Sequence, residues 1–159
     1  MNLQETFKAT GDVYIKVYDR DGKLKEAHAF KNRVVTTGKY YIANRLAGVS
    51  TGTVPVVGWM SIGTGTGTPA DGDTNLGTHA YRAALDSLTA TTTSNTVTAV
   101  ATFAAGNGTG AITEAGIFNY STYTASPSAT QMMLCRTTFP AVNKAAGDQI
   151  AITWQITIS

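Results

Sequence analysis

Apolar and polar side chains alternate along most of this chain, with the period of two that is expected for half-buried β-strands. The alternation is cleanest over residues 150–158, where every second residue is isoleucine or tryptophan. Residues 13–18 alternate in the same way, and the Asp21-Gly22 dipeptide that follows supplies the positive φ of a tight hairpin turn. The same criteria predict strands at residues 24–30, 32–35, 54–62, 80–88, 96–103 and 132–139, with a hairpin between 80–88 and 96–103 and a turn over 140–148.

One helix is predicted over residues 37–47. Thr36 and Thr37 are suitable N-cap residues, and Gly48 is a suitable terminator. The apolar residues between them recur at helical spacing, which predicts one face packed on a sheet: Tyr40, Tyr41, Ile42, Ala43 and Leu46.

These elements predict a mainly β protein, an antiparallel β-sandwich of jelly-roll-like type with one short amphipathic helix. Residues 12–159 are predicted to form a single domain. Residues 1–11 are predicted to be an N-terminal arm, because Leu3 and Phe7 are their only large apolar anchors. The expected core includes Phe118, Ile152, Trp154 and Ile156.

Residues 110–119 are predicted to be a central strand, because apolar groups would fall on both of its faces. Glu114 lies within this strand, and an unpaired carboxylate is costly to bury. We therefore expect Glu114 to be a structural residue, bonded to Arg82, Arg136 or backbone N–H groups.

A long loop of small and polar residues is predicted over residues 63–77. Because Leu76 is its only large apolar side chain, we expect the loop to be mobile in the isolated protein and ordered against a neighbour. Asp71 and Asp73 resemble the start of an EF-hand calcium loop, but Leu76 and Arg82 occupy the positions that need glycine and glutamate. A calcium site of another kind stays open, although turn carboxylates explain these residues as well.

Composition favours a role in an assembly. Charged residues make up 14% of the chain, against roughly 25% in ordinary soluble proteins, whereas threonine occurs 27 times. Residues 1–45 hold nine Lys/Arg and five Asp/Glu, whereas residues 46–159 hold three and five. This asymmetry indicates an acidic partner near the N-terminal third, but it falls short of the dense basic face that nucleic acid requires.

No catalytic, cofactor-binding or metal site is predicted. The Gly48-x-Ser50-x-Gly52 motif has its helix before the serine instead of after it, and the glycines of residues 63–67 lack the lysine of a phosphate-binding loop. His28 and His79 have no partners at metal-ligand spacing. The single Cys135 excludes an internal disulfide framework. With no signal peptide or membrane span in the sequence, we expect a non-enzymatic protein that folds in the cytoplasm without a membrane partner.

Five segments resemble a family of small tailed-bacteriophage virion proteins, variously described as head decoration or tail-fibre-like. They are Asn32-Arg-Val-Val-Thr-Thr-Gly-Lys, the stretch from Met60 to Thr78, Gly110-Ala-Ile-Thr-Glu-Ala-Gly-Ile-Phe-Asn, Met133-Leu-Cys-Arg-Thr-Thr-Phe-Pro and Ile152-Thr-Trp. The resemblance covers residues 12–159 and supplies no catalytic residues. It implies a symmetric, multi-copy structural protein of the virion, assembled in the host cytoplasm.

The resulting expectation is a capsid decoration (cement) protein that binds the major capsid protein and forms a homo-oligomer, a dimer or trimer. The alternative is a tail or baseplate fibre component. In a glycan-binding role in host attachment, Trp59 or Tyr123 would stack on sugars. The expected partner-binding residues are Leu3, Phe7 and Lys8 of the arm.

Overall fold

The computed structural model describes residues 8–48 and 54–159, which contain one helix and ten strands. In chain order these are β1 (Ala9–Tyr18), β2 (Leu24–Lys31), β3 (Arg33–Val34), α1 (Thr36–Leu46), β4 (Trp59–Gly63), β5 (His79–Ala84), β6 (Ser87–Thr89), β7 (Thr96–Phe103), β8 (Gly110–Phe118), β9 (Met133–Lys144) and β10 (Gln149–Ile158).

The strands form two five-stranded sheets, and all pairings between the described strands are antiparallel. Sheet A has the order β2-β1-β10-β7-β6, and sheet B has the order β3-β9-β8-β4-β5. The prediction of an antiparallel β-sandwich with one helix is confirmed. The prediction that residues 110–119 form a central strand is also confirmed, because β8 lies in the middle of sheet B.

The main core lies between the two sheets. Every second residue of β1, β7 and β10 points into it, as the alternation predicts, and Ile152, Trp154 and Ile156 are buried there. Sheet B contributes Met60 and Ile117 from its inner face. Phe118 is also buried, but it belongs to a second cluster with Val35, Leu76, Tyr120 and Met133.

Several predicted boundaries are wrong. Residues 80–88 form two strands instead of one: β5 pairs with β4 in sheet B, and β6 forms the hairpin with β7 in sheet A. β9 continues through Pro140 to Lys144, where a turn was predicted. Residues 9–11, predicted to be part of the arm, pair with β10 as the start of β1.

Helix α1 is confirmed, but its details differ from the prediction. Val35 is the N-cap without a side-chain cap bond, and the hydroxyl of Thr37 donates to the Met133 carbonyl of β9 at 2.8 Å. The helix therefore starts by packing on sheet B. Of its residues, only Gly38 and Tyr41 are buried. The predicted apolar face is therefore wrong for Tyr40, Ala43 and Leu46, which are exposed, Leu46 by 80%.

Candidate interaction surfaces

Glu114 binds the 64–78 loop to the outer face of sheet B through hydrogen bonds. A register shift in β8 between Ile112 and Glu114 leaves Ile112 in the core, whereas Glu114 points toward the loop and is fully buried. Its Oε1 accepts hydrogen bonds from the backbone N–H groups of Gly65 at 2.9 Å and Thr78 at 2.7 Å, and its Oε2 accepts one from Gly77 at 2.9 Å.

Arg136 completes this network. Its Nε and Nη2 donate to Glu114 Oε2 at 3.0 and 2.7 Å, and its Nη1 donates to Asp73 Oδ2 at 2.6 Å. Burial lowers the pKa of Arg136, but the hydrogen bonds to Asp73 and Glu114 outweigh it, so that the pKa lies above its usual value. The predicted structural role of Glu114 is confirmed for Arg136 and the backbone, whereas Arg82 is not its partner. All of these contacts to the loop lie within one chain, so they do not depend on a neighbouring molecule.

The side chain of Arg82 lies elsewhere on this outer face, between two aromatic rings. Its guanidinium carbon is 3.9 Å from the ring centroid of Phe118 and 4.4 Å from that of Tyr120. Its Nε donates to the hydroxyl of Ser61 at 2.7 Å. Burial lowers the pKa of Arg82. These contacts join β4, β5 and β8, so Arg82 serves to pack this face.

The two candidate sugar-stacking residues have different surroundings. Trp59 is half-buried against the cluster that contains Phe118. Tyr123 stacks on the ring of His79, with 4.2 Å between centroids, and remains 41% exposed. Burial, with a smaller contribution from the nearby Arg82 cation, lowers the pKa of His79. Tyr123 is therefore the better placed of the two to offer a ring to a ligand.

The outer face of sheet A is broad, and its charged residues are confined to β1 and β2, whereas its β10, β7 and β6 residues are all uncharged. We call this surface the neutral face; it comprises Thr10, Asp12, Tyr14, Lys16, Ala27, Ala29, Lys31, Thr89, Thr96, Thr98, Val100, Thr102, Ala151, Thr153, Gln155 and Thr157. These residues alternate with the core residues of the same strands, so they point away from sheet B. Asp12 and Lys31 form an ion pair with each other, and Lys16 is the remaining charged residue of the set.

Hydroxyl groups line a shallow depression at one end of the neutral face. Its volume is about 410 Å³, and threonine and serine residues of the β6–β7 hairpin and β10 supply most of the lining: Thr89, Thr91, Ser94, Thr96, Thr98 and Thr157. Such a surface offers donors and acceptors without a net charge.

A second surface, which we call the basic groove, lies between the start of β1, β3 and α1. Its volume is about 640 Å³, and its lining combines three cations with apolar side chains: Lys8, Arg33, Lys39, Ala9, Val34, Ile42, Ala43 and Leu46, together with Thr10, Asn32 and Asp71. Arg33 donates to Asp71 at 3.3 Å. Because Asp73 accepts from Arg136, both carboxylates of the EF-hand-like stretch are bonded to arginines.

One of the three predicted partner-binding residues lines this groove. Lys8 lines it, and the backbone of Lys8 is fixed by two hydrogen bonds with Ser159, of 2.7 and 2.8 Å. Leu3 and Phe7 lie outside the described residues. Lys39 is a groove residue that the sequence pattern did not predict, and Leu46 lines the groove instead of the predicted buried face. The available signal was the helical spacing of Lys39, Ile42 and Leu46, which places them on one side of α1.

Within residues 8–48 and 54–159, no three His, Cys, Asp or Glu residues come together as metal ligands. No helix in the described part of the chain has the length and apolar character to cross a membrane. No protein-family model, curated protein or solved structure matches this chain.

Proposed function

We propose that this chain is a bacteriophage virion structural protein, a capsid decoration (cement) protein that binds the major capsid shell and stabilises it. The resemblance of five segments to small phage virion proteins supports the origin. The neutral face is the single observation that carries the docking role, because threonine and alanine make up most of it and its β10, β7 and β6 side has no charged residue.

The β10, β7 and β6 side of the neutral face shares one property of an interface centre, the lack of charged side chains. Interface centres are depleted of charged side chains, because a charge that is buried without a partner costs several kcal/mol. Threonine and alanine are cheaper to bury, and the hydroxyls can exchange water for hydrogen bonds across the contact. The self-paired Asp12 and Lys31 leave only Lys16 to be accommodated by a partner.

The neutral face is somewhat smaller than the surface that a standard interface uses. The two longest strands, β1 and β10, have ten residues and are roughly 33 Å long, and five strands span about 20 Å, so the area is at most on the order of 650 Å². A standard protein interface uses about 800 Å² per partner. One copy therefore docks with moderate affinity, and many copies bridging a symmetric shell reinforce each other by avidity.

Charge substitutions on the neutral face test this proposal. Thr98→Lys and Thr153→Lys place a cation in the middle of the face, and we expect both variants to fold and to lose occupancy on undecorated phage particles. Thr122→Lys, in an exposed loop of the other sheet, is the matched control and should retain wild-type occupancy. Wild-type occupancy in all three variants would refute docking through this face.

The alternative function is a tail or baseplate fibre component that contacts host glycans, and the exposed ring of Tyr123 favours it. A copy count from purified virions separates the two functions, because a decoration protein is present in many more copies than a fibre protein. Tyr123→Ala combined with a glycan array tests the sugar contact directly, since loss of a specific glycan signal would support the alternative.

A further inference from the structure

We propose that the basic groove binds residues 1–7 of a second copy of this chain, which add a short strand to the open edge of β1. This self-association uses a surface that shares only Thr10 with the neutral face. It can therefore be tested on the purified protein, without phage particles.

The edge of β1 is open where it borders the groove. β1 pairs with β10 along its whole length, but with β2 only from Asp12 onward. The carbonyl of Gly11 also accepts from the N–H of Asn32 at 3.1 Å, so the open part of the described edge is at Ala9. In an antiparallel pair of strands, the N–H and C=O groups of successive residues point alternately toward and away from the partner strand. Lys8 exchanges both of its backbone hydrogen bonds with Ser159, so the N–H and C=O groups of Ala9 point away from β10. On that side, no strand of the described chain pairs with Ala9. An unpaired strand edge is a template for one more strand.

The groove lining matches the chemistry of residues 1–7. In an extended segment, Leu3, Glu5 and Phe7 fall on one side, so that two apolar side chains flank a carboxylate. Leu46 is 80% exposed and Ile42 partly exposed, and both line the groove. These two residues offer apolar contacts.

The charges are complementary as well. Glu5 would face Lys39, whose ammonium group has no ion-pair partner among the described residues. Lys8 adds a second cation to the groove wall, whereas Arg33 is already bonded to Asp71. An acidic residue between two apolar ones therefore fits this surface better than a purely apolar segment.

The sequence of residues 4–8 indicates that the segment in the groove comes from a second copy and not from the same chain. To lie beside Ala9, residues 1–7 of the same chain would have to reverse direction through a tight turn over residues 4–8. Tight hairpin turns require glycine, asparagine or aspartate, and these positions hold Gln, Glu, Thr, Phe and Lys. A segment from another copy needs no such turn.

The segment is also long enough. Seven extended residues span roughly 23 Å, whereas α1 from Lys39 to Leu46 is only about 10 Å long. Two copies can therefore exchange their segments reciprocally and close a symmetric pair.

Isotope-resolved photo-crosslinking of the full chain tests the proposal. Leu3 is replaced by the photoreactive residue benzoylphenylalanine, and ¹⁴N- and ¹⁵N-labelled chains are refolded together and irradiated. We expect crosslinks between chains of different isotope, in peptides that contain Ile42 or Leu46. Leu46→Asp should abolish these crosslinks without unfolding the protein. Leu24→Asp, the same change at an exposed leucine outside the groove, should leave them intact.

Light scattering gives an independent readout. The wild-type chain should have a larger mass than the variant that lacks residues 1–7, and Leu46→Asp should have the mass of that truncated variant. Crosslinks confined to chains of one isotope would show that each chain binds its own N-terminus and would overturn the proposal. Crosslinks outside the groove, or an unchanged mass after truncation, would overturn it as well.

Discussion

Replacing Glu114 by glutamine tests how far one buried carboxylate holds the outer layer of sheet B. The carboxylate accepts five hydrogen bonds, three from loop N–H groups and two from Arg136. A glutamine amide has a single acceptor oxygen, so in either orientation its NH₂ group faces two or three of these donors. The substitution also leaves the buried Arg136 with Asp73 as its only anionic partner.

The expected loss follows from these contacts. Removing one member of a buried ion pair costs about 3–5 kcal/mol, and each donor left unpaired costs about 1–3 kcal/mol, so we expect Glu114→Gln to lower the free energy of unfolding by about 3–5 kcal/mol after local relaxation. For a domain of this size the melting temperature should fall by roughly 6–20 °C. Glu26→Gln is the matched control, because Glu26 is partly exposed and paired only with His28, and it should cost less than about 1 kcal/mol.

Denaturant unfolding measures the global effect, and amide hydrogen exchange measures the local one. In the wild type the N–H groups of Gly65, Gly77 and Thr78 should be protected, and in Glu114→Gln they should exchange faster than the amides of β10. A Glu114→Gln variant within 1 kcal/mol of the wild type, or with unchanged exchange at these three amides, would refute the anchoring role of Glu114.

Three further predictions concern other buried groups. Trp154→Ala should destabilise the protein by roughly 3–5 kcal/mol, because the fully buried indole fills the space between the sheets; a wild-type melting temperature would contradict this. Burial raises the pKa of the Cys135 thiol, so iodoacetamide at pH 8 should label it only after unfolding, as mass spectrometry can show. The hydrogen bond from Lys25 holds the pKa of Asp148 below its usual 3.8, so this pair stabilises the fold above about pH 4, and its contribution is lost as the pH falls through the lower folded-state pKa. The melting temperature of Asp148→Asn should therefore fall less between pH 6 and pH 3 than that of the wild type. Equal decreases in the two proteins would contradict the assignment.

The strands with strict alternation were predictable from the sequence because each has one buried and one exposed face. β10 and the β1–β2 hairpin are of this kind. Residues 80–88 were not predictable as two strands, since the chain crosses from sheet B to sheet A at Leu85 and Asp86 without a glycine or proline. Pro140 predicted a turn, but it lies in β9 opposite the register shift of β8, where the ladder needs no N–H from it.

The surfaces were predictable only in part. The sequence predicted only a few candidate ion-pair partners for Glu114, because the chain has few lysine and arginine residues after residue 45. The choice of Arg136 over Arg82 depends on which of them lies near Glu114 on the outer face of sheet B, and that follows from strand register. The basic groove was not predictable, since its walls come from β1, β3 and α1 and exist only after these elements pack.

The position of β10 has a consequence for the order in which the protein can fold. β10 lies between β1 and β7 in sheet A, yet it is the last of the ten strands to leave the ribosome. Until it arrives, sheet A consists of two separate hairpins, β1–β2 and β6–β7, each with an uncovered edge and an unfilled apolar face. The nascent chain therefore completes its core late, through contacts between residues far apart in sequence, which makes folding slow and aggregation a hazard during synthesis.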